Sequence, residues 1–130
     1  MIRSYSEMLK FESFGERLKY LQLFNDTDAS PRQISLSFYE SRPWRLLRAQ
    51  IIERDYNSDL GVLGIGIDGR ILVHHINTLN ESDFLNWNVD KLLNPENLIT
   101  VSYDTHSKIH YGLESYEMSK ERLPGDTKLW

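Results

Sequence analysis

The chain has 130 residues, no cysteine and a net charge of -4, with 40% apolar and 26% charged residues. That length and balance suit one globular domain with a modest core. They exclude disulfides and thiolate metal sites, and the mild acidity argues against non-specific nucleic-acid binding while leaving room for a local basic patch. The apolar runs are too short to span a bilayer, and the N-terminal stretch lacks the apolar segment and cleavage site of a signal peptide, so a cytoplasmic protein with no membrane partner is expected.

Residues 6–24 carry Met8, Leu9, Phe11, Phe14, Leu18, Leu21 and Phe24 at roughly helical spacing, and Gly15 divides them into two short helices. The turn-rich "NDTDASPRQ" that follows reads as a linker. "SRPWRLLRAQIIERD" predicts a helix with Ser41 as N-cap, Pro43 in the first turn, and Trp44, Leu47 and Ile51 on one face. "VLGIGIDGRILVHHI" alternates like two strands joined at Asp68-Gly69. A short helix is expected in "ESDFLNWNVDKLL", and a strand in "NLITVSY". Asp104 would cap and Gly112 would end a helix over "DTHSKIHYG".

"GIGIDG" spells the dinucleotide-binding fingerprint, but a strand pattern follows it where that fingerprint needs a helix N-terminus to hold a pyrophosphate. The sequons at Asn25 and Asn80 carry no meaning without an export signal.

The chain has 4 histidines, His74 and His75 side by side and His106 and His110 one helical turn apart. Spacing of four puts two imidazoles on one helix face, within reach of one metal ion; taken alone, such a pair is more often two surface histidines. Adjacent strand residues point to opposite faces, so one of His74 and His75 can join the helix pair and the other must act separately.

The order "VHHIN…NPENLITVSYDTHSKIH" resembles the HNH endonucleases, whose catalytic unit is the ββα-metal (His-Me) finger. The match covers residues 69–112, and "FYESRPWRLLRAQIIERD" resembles the helix that precedes the finger in many members. As a whole the chain looks most like the small HNH proteins of tailed bacteriophages. The resemblance implies an α+β fold with N-terminal helices on a small antiparallel sheet: residues 1–40 as a helical region, 41–112 as the nuclease core and 113–130 as a tail. It implies His74, His106 and His110 as metal ligands, the last as in the nuclease colicins. His75 would be the general base, and Asn97, in preference to Asn94, the residue holding the loop that orients His75. DNA is the implied substrate and a divalent metal (Zn, Ni, Mn or Mg) the implied cofactor. Phage terminase or packaging proteins are the implied partners, in a host cell's cytoplasm.

Many members add two C-x-x-C pairs for a structural zinc, which would fall at Ser102 and Thr105 and near Asn57 to Leu60. Without cysteine, no structural zinc is expected, and the scaffold should rest on Trp44, Leu47, Ile51, Ile71, Val73, Leu98, Ile99 and Val101. Arg48, Arg54, Arg70 and Lys108 are candidate contacts to DNA phosphates, with Arg45 beside them; for any one of these a solvated surface role is the commoner outcome. The alternative to an endonuclease is a non-catalytic HNH-like DNA-binding or assembly module, which the acidic net charge favours and the intact His75 opposes.

Overall fold

The computed structural model describes residues 3–22 and 32–119. The elements are helices α1 (Tyr5–Met8), α2 (Phe14–Leu21), α3 (Arg32–Tyr39) and α4 (Arg42–Arg54), strand β1 (Ile71–His75), helices α5 (Glu81–Leu85) and α6 (Val89–Leu92), strand β2 (Leu98–Ser102) and helix α7 (Tyr103–Ser119). One-turn helices at Asp59–Gly61 and Pro95–Asn97 punctuate the loops. The architecture is α+β, with one two-stranded antiparallel sheet among the described residues.

The capping chemistry legible in the sequence recurs in space. Ser41 accepts from the Trp44 N–H at the head of α4, and Pro43 occupies its first turn. The N-terminal apolar run forms two helices as expected, but Gly15 does not divide them: it lies in the first turn of α2, which Ser13 caps, and the break falls between Met8 and Phe14. Two expectations at α7 are corrected. Ser102, not Asp104, receives the N–H of Thr105, and the helix runs past Gly112 to Ser119, so it crosses the boundary expected at residue 112. Phe24, Asn25, most of the expected linker and the tail beyond Ser119, with Trp130, lie outside the described residues.

The expected hairpin at Asp68-Gly69 does not form. Only Ile71–His75 is a strand, and it pairs with Leu98–Ser102. Residues 62–67 fold back on the preceding turn instead, with the Asp59 N–H donating to the Ile65 carbonyl and the Ile67 N–H to the Asn57 carbonyl. Gly64 and Gly66 weaken the segment as a strand, and Leu63, 72% exposed, finds no layer to pack on.

Both faces of the sheet are covered. Leu72, Ile99 and Val101 pack with Met8, Leu21 and Ile109, from α1, α2 and α7, and with Leu60 of the one-turn helix at Asp59–Gly61. Val73 and Leu98 pack on the other side with Phe38, Trp44, Ile51, Phe84 and Leu92, from α3 to α6. This is why "ILVHHI" reads as a nearly continuous apolar run around the histidines. Of the expected core, Leu47 and Ile71 are half-buried, while Leu72, outside the expected set, is buried in it.

The free edge of β2 is closed by side chains rather than by a third strand. Arg54 donates to the Leu98 carbonyl at 2.7 Å, Asp55 accepts from the Thr100 N–H at 2.9 Å, and Asp59 accepts from the Ser102 N–H at 3.1 Å. These contacts satisfy backbone groups that an uncovered edge would leave open. The turn presenting them is strained: Tyr56, Asn57 and Leu60 all have left-handed φ values between 54° and 58°. Each costs roughly 1 kcal/mol or more. Burial of Leu60 and the bond from the Arg17 guanidinium to its carbonyl at 2.8 Å hold the turn in place.

A candidate metal centre between the sheet and the last helix

His74 sits near the C-terminal end of β1, opposite Ile99, on the sheet face that α7 covers. Ile109, fully buried, anchors α7 against that face. His106 and His110 lie to either side of it along the helix and turn toward His74. One ring nitrogen from each of the three lies within 4.8 Å of the others. The ring centroids of His106 and His110 are each 5.4 Å from that of His74.

The trio fits a metal ion by its own geometry. Nε2 of His106 and Nε2 of His110 are 3.1 Å apart. Two nitrogens bound to one ion at about 2.05 Å are separated by roughly 2.9 Å in octahedral and 3.3 Å in tetrahedral geometry. Nε2 of His74 is buried with no hydrogen-bond partner. An unpartnered buried nitrogen is costly, and a cation shared with the Nε2 atoms of His106 and His110 would satisfy that lone pair. Burial, reinforced by the neighbouring histidines, holds the His74 imidazole well below its usual range. Burial first, then His110, pushes His106 down to about 3. Both are therefore neutral at physiological pH, the form in which imidazole binds metal.

The structure does not bring His75 into this group. Its side chain leaves the opposite face of β1 and stacks on Trp44, with centroids 5.2 Å apart and planes at 21°. Phe38 and Tyr39 flank it at 6.2 Å. Nε2 lies 3.0 Å from the Leu92 carbonyl, so it carries the proton and the lone pair falls on Nδ1. Desolvation pushes this imidazole down to about 4, against the raising effect of the Leu92 carbonyl and of Asp83.

Asn97, fully buried, ties the loop between the strands together. Its oxygen accepts from the Asn77 N–H at 2.9 Å and the Asn77 amide at 2.7 Å, and its own amide donates to the Lys91 carbonyl at 2.8 Å. Lys91 precedes Leu92, whose carbonyl holds His75, so Asn97 sits two links from that ring. Asn94 instead caps the one-turn helix at Pro95–Asn97. Asn77, not among the expected site residues, also exchanges two hydrogen bonds with the Arg3 backbone, at 3.1 and 2.7 Å. The "HHIN" run placed Asn77 beside the histidines, but its partners, Arg3 and Asn97, are remote in sequence.

Arg54, a candidate phosphate contact, has its guanidinium taken up by the fold. Its guanidinium engages Asp55 at 2.9 and 3.1 Å, Pro95 and Leu98 carbonyls at 2.8 and 2.7 Å, and lies 3.5 Å over the Tyr5 ring. Arg48 is half-buried and donates to the Ile71 carbonyl at 2.7 Å. Arg70 is exposed and Lys108 half-buried. Ser102 and Thr105, together with Asp59 from the 57–60 stretch, form a hydrogen-bonded cluster at the positions where the resemblance would put cysteines.

No helix among the described residues is long and apolar enough to cross a membrane. Compared with protein-family models, curated proteins and solved structures, the chain matches none.

Proposed function

We propose that this chain is a metal-dependent endonuclease of the HNH type, hydrolysing DNA phosphodiester bonds, with β1, β2 and the start of α7 as its ββα-metal finger. The convergence of His74, His106 and His110 from a strand and a helix on one point carries the reading. A divalent cation bound there would supply positive charge to the phosphate and to the leaving oxygen. Three neutral imidazoles without a carboxylate suit Zn²⁺, Ni²⁺ or Mn²⁺ better than Mg²⁺, which prefers oxygen ligands.

The rest of the chemistry falls to the chain's own groups. His75 keeps its proton on Nε2 at Leu92 and lies under Trp44 on the far face of β1 from the trio, so serving as the base through Nδ1 requires the ring to leave that stack and reach the attacking water. Asn97 holds the loop that carries Leu92. Arg70 and Lys108 are the phosphate contacts, with Arg48 keeping only part of its guanidinium for that role. Phage DNA packaging or processing beside a terminase is the setting suggested by the resemblance.

One observation favours a second reading, a metal-bearing module that binds DNA without cutting it. His75 lies under Trp44, and an imidazole pushed down to about 4 is a weak proton acceptor at neutral pH. Supercoiled plasmid incubated with the protein and Mg²⁺, Mn²⁺, Ni²⁺ or Zn²⁺, beside His75→Ala and a chelator control, separates the two. Nicked or linear product that disappears with His75→Ala supports the endonuclease. DNA binding without cutting under every metal supports the module.

A further inference from the structure

Two parts of the molecule meet at the histidine trio by different routes. His74 is placed by the β1–β2 register, opposite Ile99. His106 and His110 are placed by the rotation of α7. Between β2 and α7 there is no loop, since β2 ends at Ser102 and α7 begins at Tyr103. The setting of the helix against the strand is therefore decided at that joint.

One carboxylate spans it. Asp59 accepts from the Ser102 N–H at 3.1 Å and the Ser102 hydroxyl at 2.8 Å on the strand side, and from the Thr105 hydroxyl at 2.7 Å on the helix side. Ser102 Oγ also receives the Thr105 N–H at 3.1 Å. Asp59 and Thr105 are buried, and Thr105 immediately precedes His106. The turn presenting Asp59 takes on left-handed backbone at Tyr56, Asn57 and Leu60 to reach this place.

We infer that Asp59 is a positioning residue for the histidine trio, acting through Ser102 and Thr105 to set the rotation of α7 and so the distance of His106 and His110 from His74. The inference rests on the reading that the trio holds a metal ion. Geometry gives the sensitivity. A ring nitrogen roughly 6 Å from the helix axis moves about 1 Å when the helix turns by about 10°. Metal–ligand distances tolerate only about 0.2 Å. A small loss of rotational setting therefore spoils the site before it unfolds the protein.

The test is a Co²⁺ titration of the full chain followed by visible absorption, with apo thermal stability measured alongside. Asp59→Asn and Thr105→Val should weaken Co²⁺ binding at least tenfold in folded protein and alter the cobalt bands. Thr105→Ser, which keeps the hydroxyl, should retain wild-type binding. Ile51→Val, which thins the core on the far face of the sheet, should lower thermal stability yet leave affinity and spectrum unchanged. Wild-type affinity and spectrum in folded Thr105→Val, or in Asp59→Asn, would overturn the positioning role. Equal weakening in Ile51→Val would overturn it too, by showing that affinity merely follows stability. Absence of Co²⁺ binding by the wild type would overturn the metal reading beneath it, a failure distinct from the other two.

Discussion

His74 and His75 are adjacent in the chain and belong to different layers of the molecule. The first looks toward α7 and its two histidines, while the second stacks on Trp44 at 5.2 Å beneath α4. The pleat of β1 separates them, and the sheet, buried on both faces, gives each a closed environment of its own.

Removing one member of the trio should abolish tight metal binding. A single Zn²⁺ or Co²⁺ per chain is expected by calorimetry, with affinity lowered at least a hundredfold by His74→Ala, His106→Ala or His110→Ala. At free metal a hundred times the dissociation constant, wild-type stability should rise by about 2.7 kcal/mol. Unchanged affinity in any of the three variants would remove that residue from the ligand set.

The metal-free protein should lose stability on mild acidification. His75 titrates near 6.5 when unfolded and near 4 when folded. Between those values the unfolded chain binds the extra proton, so the stabilisation present above pH 6.5 is lost as the pH falls toward 4, by about 3 kcal/mol for this group. His106, pushed down to about 3, and His74 act in the same direction. Urea unfolding at pH 7.5, 6.0 and 4.5 measures the slope; a midpoint that does not move would contradict the buried placement of these rings.

Asn97→Ala should destabilise the fold strongly. The change removes the acceptor of the buried Asn77 N–H and the donor to the Lys91 carbonyl, and leaves the Asn77 amide only its bond to the Arg3 carbonyl, around a side chain that is fully buried. With about 1–3 kcal/mol for each stranded buried group, a loss of roughly 3 kcal/mol or more is expected in denaturant titration. A loss below about 1 kcal/mol would show that the loop is held elsewhere.

Arg54 and Arg70 should part company. Arg54→Ala removes the cation beside the buried Asp55 carboxylate, which keeps only the Thr100 N–H, and the donor to the Leu98 carbonyl, and should cost about 3–5 kcal/mol. Arg70→Ala should leave stability within about 0.5 kcal/mol but lower the salt dependence of DNA binding by about one unit of slope. Isotherms for DNA, the proposed substrate, over a range of salt concentrations, beside thermal melts of both variants, check this; a reversed pattern would favour Arg54 over Arg70 as a phosphate contact.

Local patterns were readable from the residues alone. Ser41 and Pro43 announce α4, the spacing of His106 and His110 puts them on one helix face, and the period of two in a strand requires that His74 and His75 part. Each follows from backbone geometry within a few residues, which short sequence windows carry. The alternation around Asp68-Gly69 misled for the same reason: a pattern fit to pair does not say what it pairs with, and Ile65 and Ile67 hydrogen-bond to the turn at Asn57–Asp59. Only tertiary structure decided which histidine joined the helix pair, because that depends on the side of the sheet on which α7 lies. It alone drew Arg54 into the edge of β2, set Asn77 against Arg3 and Asn97, and brought Asp59 to Ser102 and Thr105. Those contacts join residues from 20 to 74 positions apart in the chain, and distance along the sequence carries no signal of such closure; it is fixed by which surfaces bury each other.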